Sequence, residues 1–328
     1  MLDRLRTAAT TVATVALISL GAAALPSAGA AASSSGSAAT AEPEQGTLAG
    51  VNDWTCAPTP QHPRPVVLVH GVGASMQKTW GGPGELWGDP PETQHRGPLV
   101  EQLAADGYCV FALNHGATQV LQSDLTWVTG WGTGDIEDSA RELAGFVDDV
   151  LERTGAAQVD IVGHSMGGTV ARQYLRFEGG VTPDGSTVHT LVLLGPTTHG
   201  TTFGGTYPTA LAAATAPKAV RQQVPGSSFL TKLNAGQETF PGVDYTVIAT
   251  TKDESITPYQ SSFLVAAPGT SVRNVYVQDV CQDPDLAVGH ARDFGEPGAD
   301  GPGLIDHPVP LFLVRQALDP ALTGGPPC

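Results

Sequence analysis

The chain has 328 residues, 41% hydrophobic and 15% charged, with 40 Gly and 26 Pro. That apolar content excludes wholesale disorder, and a net charge of −16 without any basic cluster excludes a nucleic-acid binder. No polybasic stretch addresses the chain to an anionic membrane, and the one apolar run near spanning length lies at the extreme N-terminus.

That run opens the chain. Two Arg and one Asp precede the Ala/Val/Leu/Ile stretch Thr7–Leu25, Pro26 breaks it, and Ala28-Gly29-Ala30 forms a small-x-small cleavage pattern. The arrangement predicts a secretory signal peptide over residues 1–30 rather than an anchor, and therefore an extracellular protein with no span once the signal is removed. The segment carries a net +1, so cleavage leaves −17. Residues 31–50, rich in Ala, Ser, Gly and Thr, read as a disordered leader, and one domain without internal repeats is expected over residues 51–328. All four cysteines, Cys56, Cys109, Cys281 and Cys328, fall in the exported part. Their wide spacing does not suit zinc, and an even count in an oxidising compartment favours two disulfides, Cys56 with Cys109 and Cys281 with Cys328 among three possible pairings.

Six apolar runs bounded by turn residues predict buried strands: Pro65–His70, Tyr108–Leu113, Val159–Gly163, Thr190–Leu194, Tyr245–Thr250 and Val272–Gln278. Between them lie helical patterns. The clearest is Ile136, Ala140, Leu143, Val147, Val150 and Leu151, which starts after Gly134-Asp135 and stops at Gly155. Further helices are expected before Tyr108, after Ser165 and over Val309–Leu318. This alternation predicts an α/β fold with a mostly parallel sheet covered on both faces. Two stretches break the pattern, Gly116–Gly134 and Gly200–Phe240, and such insertions cap the carboxyl ends of strands. Trp127, Trp131, Phe203 and Tyr207 are therefore candidate walls of a site.

The chemistry is carried by Gly163-His164-Ser165-Met166-Gly167, which follows one strand and opens one helix. In that context GxSxG is a nucleophile elbow, a turn so tight that glycines must flank the serine. A serine nucleophile needs an acid and a base, in the chain order Ser, acid, His. Asp253 lies just past the strand Tyr245–Thr250, with Glu254 and Asp279 as neighbouring alternatives. His290 and His307 are both eligible bases, and His70 and His164 stand in the wrong order. The backbone N–H groups of Met166 and of Val72, with Gly73 as alternative, are the expected oxyanion donors.

Longer segments resemble a known family. Asp53-Trp54-Thr55-Cys56, HPRPVVLVHG (62–71), GYCVFALNHG (107–116), residues 134–168, ATTKDESITPY (249–259), NVYVQDVC (274–281) and QALDP (316–320) are similar to the secreted actinobacterial lipases and esterases of lipase class 2, within the α/β-hydrolase superfamily. The resemblance implies a carboxylic-ester hydrolase acting on triacylglycerols or shorter acyl esters, without metal or organic cofactor. It favours His290 as base, with His307 the alternative, because Cys281 followed by a short acidic stretch matches the family pattern up to His290. Two departures stand out: about a dozen extra residues at Asp293–Leu304, and Met166 where the family often carries Gln. A polyester or cutin hydrolase, an acyltransferase, or an inactive scaffold with a binding role are the competing readings.

Overall fold

The computed structural model describes residues 47–81, 96–121, 125–209, 211, 213–291 and 302–328. The expected signal peptide and most of the leader lie outside these residues. Ordered packing begins inside the expected leader, since Leu48 is buried against the core.

In chain order the elements are β1 (Val66–Val69), α1 (Met76–Trp80), α2 (Pro98–Asp106), β2 (Val110–Leu113), β3 (Thr118–Leu121), β4 (Trp127–Gly130), α3 (Ile136–Thr154), β5 (Val159–His164), α4 (Met166–Phe177), β6 (Val181–Thr182), β7 (Gly185–Ser186), β8 (Val188–Leu194), α5 (Lys218–Gln222), α6 (Ser228–Leu233), β9 (Asp244–Ala249), β10 (Val272–Tyr276), α7 (Val277–Cys281) and α8 (Pro308–Leu318). Each of the six predicted strands joins one sheet of order β10-β9-β8-β5-β1-β2, parallel throughout. The last of them stops earlier than its apolar run, because Val277 and Gln278 turn into α7.

Alternation along the strands divides the core. Val67, Val69, Phe111 and Ile161 face one side with α3 and α4, and Val66, Leu68, Val110 and Val162 face the other with α1, α2 and α8. Helix α3 has the limits its sequence announces. The Asp135 carboxylate accepts the N–H of Glu137 at one end, and Gly155 closes the other at φ +68°. The two irregular stretches acquire structure of their own. Gly116–Gly134 folds into the antiparallel β3–β4 hairpin, and Gly200–Phe240 contains the short helices α5 and α6.

The chain reverses its direction of travel across the sheet between β1 and β5, going from β1 to β2 on one side and later adding β5 on the other. In open parallel sheets a crevice forms at the carboxyl ends of such a strand pair. The turn after β1 and the turn after β5 must therefore lie side by side.

Two disulfides, Cys56–Cys109 and Cys281–Cys328, join residues 53 and 47 apart in sequence. The first ties the segment before β1 to the start of β2, and the second ties the C-terminal tail to α7. Closing loops of this length limits the unfolded chain, so replacing Cys56 and Cys109 together by Ser is expected to cost about 2–4 kcal/mol. Urea unfolding without reductant measures this; an unchanged midpoint would contradict it.

Candidate active site

Ser165 stands between β5 and α4 with φ +55° and ψ −128°, a conformation a non-glycine residue adopts only when its surroundings impose it. Two close approaches impose it. A Cβ on Gly167 would stand 2.2 Å from the carbonyl oxygen of Val69, and one on Gly163 would stand 2.7 Å from the nitrogen of Gly168. The strand and the helix are thus pressed together with no room for side chains, and Ser165 N–H is tied to Leu194 C=O at 2.8 Å. Met166 is the first residue of α4, so its N–H has no acceptor in a preceding helical turn and lies at the positive end of the helix. The turn after β1 comes close: a Cβ on Gly71 would lie 2.9 Å from Ser165 Cβ. Among the described residues the Val72 N–H, in the same turn, donates to no protein acceptor.

Asp253 and His290 come from the neighbouring loops. Asp253 leaves β9 and is buried. Its Oδ1 accepts the N–H groups of Ser255 (3.0 Å) and Ile256 (2.7 Å), which aims Oδ2 at His290 Nδ1, 2.8 Å away. A carboxylate only accepts, so Nδ1 carries the proton and Nε2 keeps its lone pair. Burial by itself would depress the His290 pKa, but the Asp253 charge, its hydrogen bond and the Glu254 charge outweigh burial and raise it above the ordinary 6.5. Ser165 and His290 line one cavity of about 210 Å³ together with Val72, Phe203, Ile256 and Ile305.

The structure separates the alternatives left open by sequence. His307 caps α8, its Nδ1 accepting the N–H of Val309, and it does not line the cavity. Glu254 and Asp279 are exposed, whereas Asp253 is buried. Of the four aromatic wall candidates, only Phe203 lines the cavity. Tyr207 packs edge-on against Phe203 with ring centroids 5.9 Å apart, Trp127 is 65% exposed, and Trp131 does not line the cavity.

Several supporting residues escape sequence reasoning. Gln278 is buried and staples two loops: its Oε1 accepts Thr251 N–H, and its Nε2 donates to Thr250 Oγ1 and to Leu286 C=O. Asp253 and His290 are thus braced from one side chain. His164, inside the elbow, donates Nε2–H to the backbone carbonyl of His290 at 3.0 Å. A buried glutamine at a strand-to-helix junction leaves no periodic signal, and a histidine between two motif positions looks like filler.

Fold and site define an α/β-hydrolase of the lipase and esterase type. The chain belongs to the class 2 lipase family, whose pattern matches residues 63–279. Among solved structures, lipase B of Aspergillus fumigatus is similar at 19% identity and TM-score 0.53, over 80% of this chain and 53% of that one. This chain thus spans about half the length of that lipase. The mature form of lipase BlEst2 from Bacillus licheniformis is 17% identical over 67% of this chain and 86% of that one, with TM-score 0.45. The product of lin2722 from Listeria innocua is 17% identical over 80% and 96%, also with TM-score 0.45.

Burial lowers the pKa of three further histidines, His70 well below 6.5, His115 to about 4 and His164 to about 3. Below pH 6.5 the unfolded chain takes up protons at these positions that the native state refuses, so acid favours unfolding. His290 has the opposite sign, its contribution being present below 6.5 and lost as pH rises through its raised value. We expect the urea midpoint to fall from pH 6.5 to 4.5, with a shallower fall in His115→Phe; equal slopes would contradict the assignment.

Proposed function

We propose that the protein is a secreted serine hydrolase of carboxylic esters in which Ser165, His290 and Asp253 form the catalytic triad. The observation that carries this reading is the buried 2.8 Å contact from His290 Nδ1 to Asp253, with the other face of His290 opening on the cavity that Ser165 lines. His290 Nε2 takes the Ser165 hydroxyl proton as Oγ attacks the ester carbonyl. The tetrahedral oxyanion is held by the N–H groups of Val72 and Met166, neither of which donates to a protein acceptor among the described residues. His290 returns the proton to the leaving alcohol, and water then opens the acyl-enzyme by the same path. Asp253 stays ionised, fixes the tautomer and stabilises the transient imidazolium.

Export fits the N-terminal sequence and the two disulfides. For substrate, the cavity of about 210 Å³ is below the roughly 300–1,000 Å³ of pockets that enclose drug-sized ligands, which favours short acyl groups over fully enclosed long chains. Hydrolysis of p-nitrophenyl butyrate is expected to exceed that of the palmitate by about 10-fold or more in kcat/KM. A preference for palmitate in dispersed assays would reverse this choice.

Fluorophosphonate labelling provides the direct test. Ser165→Ala and His290→Ala are each expected to lose labelling and about 10⁴-fold or more in kcat, while His307→Ala keeps activity within a few-fold. Because His290 accepts a proton only when neutral, kcat/KM should fall as the pH drops through a value above 6.5. A folded protein that never labels would point to the inactive scaffold.

A further inference from the structure

Two buried histidines that take no part in these proton transfers grip the turn carrying Val72. His70 and His115 are stacked, with ring centroids 4.0 Å apart and planes 11° from parallel, and neither is exposed to solvent. His70 Nδ1 lies 2.9 Å from the carbonyl oxygen of Gly71, which only accepts, so Nδ1 holds the proton and donates. Nε2 is then an acceptor and receives the backbone N–H of His115 at 3.2 Å. His115 returns the bond, its Nε2–H donating to the carbonyl of His70 at 3.1 Å. Each ring therefore fixes the other's backbone.

The consequence falls on a single peptide plane. The C=O of Gly71 and the N–H of Val72 belong to the same trans peptide and point in opposite directions. Holding the oxygen on the His70 side turns the N–H away from it, and Gly71 and Val72 both line the cavity with Ser165. A second surface closes behind the oxygen. Gly132 has φ +63°, a Cβ there would come 2.5 Å from the Gly71 oxygen, and its own N–H donates to His115 C=O at 2.8 Å. The backbone of Gly132 thus packs directly against the Gly71 oxygen.

We infer that His70, locked by His115, is a positioning residue that aims the Val72 N–H at the oxyanion formed on attack by Ser165. The inference rests on the proposed reading of Val72 as an oxyanion donor. It differs from a packing role in a specific way: what matters at position 70 is a donor at the Nδ1 site, since among the described residues that atom alone donates to the Gly71 oxygen.

The experiment measures kcat and KM on p-nitrophenyl butyrate, and inhibition by a trifluoromethyl ketone that forms a tetrahedral adduct with the serine. His70→Leu removes the donor; kcat should fall about 10–100-fold with KM changed less than about twofold, and inhibition should weaken by a similar factor. His70→Asn places an amide N–H where Nδ1 stood and should bring kcat back to within about threefold of the parent. His115→Phe keeps a stacked ring but drops the Nε2–H donor, and should lower kcat about 3–10-fold at constant KM. A folded His70→Leu with kcat within twofold of the parent overturns the inference, as does an Asn variant no better than Leu. Where His70→Leu fails to give a cooperative urea transition, His115→Phe decides: unchanged kcat overturns the inference, and reduced kcat at constant KM supports it. Activity surviving in Ser165→Ala would instead remove the triad reading, and the inference with it, whatever the histidine variants do.

Discussion

The backbone contact between the turn after β1 and the elbow after β5 sets the terms for everything else in the molecule. Adjacent parallel strands end about 4.8 Å apart, so groups carried by the turns that leave them can converge on one point only if nothing bulky stands between them. Gly71 and Gly167 supply that clearance, and a methyl group at either would strike the other turn within 3 Å. The strand order does the rest, because the reversal between β1 and β5 leaves an open crevice where an unbroken progression of strands would have left a crossover.

Charge is rationed around this contact. Of the four histidines buried near the elbow, three are held neutral by desolvation and by partners that fix their tautomers, and only His290 faces a carboxylate. Stacked histidines that both carried charge would repel across 4.0 Å in a site of low dielectric, so neutrality is a condition of the packing. Asp253 avoids the cost of an isolated buried anion through three donors, two backbone N–H groups and one imidazole. A positive charge on His290 would therefore meet an already oriented counter-ion in Asp253.

The parts of the molecule that follow a short-range rule were legible in the sequence. Continuous apolar runs gave the six strands, the 3.6-residue period with Asp135 and Gly155 at its ends gave α3, and the strand-Gly-x-Ser-x-Gly-helix order located Ser165. What stayed hidden depends on how distant segments meet. His307 and His290 are equivalent as loop histidines; the difference is that Asp253 lies within reach of one while the other has a helix to cap. Gln278 reads as the tail of a strand, yet the turn into α7 makes it the brace of two loops. Aromatic content was a poor guide to the cavity wall, since Trp127 and Phe203 look alike as loop residues and only the second turns inward.

The chain leaves the His290 loop at Ala291 and returns at Pro302 through a short parallel bridge. Gly289 N–H meets Pro302 C=O at 3.3 Å, and Leu304 N–H meets Gly289 C=O at 3.1 Å. The two ends are thus stitched together, and Leu304 and Ile305 beside the stitch are buried. Lengthening a loop whose ends are already joined adds only about 0.6 kcal/mol of closure entropy per doubling. Chain length added between Ala291 and Pro302 would therefore cost little, while His290 stays held by Asp253 and by the bond from His164 to its carbonyl.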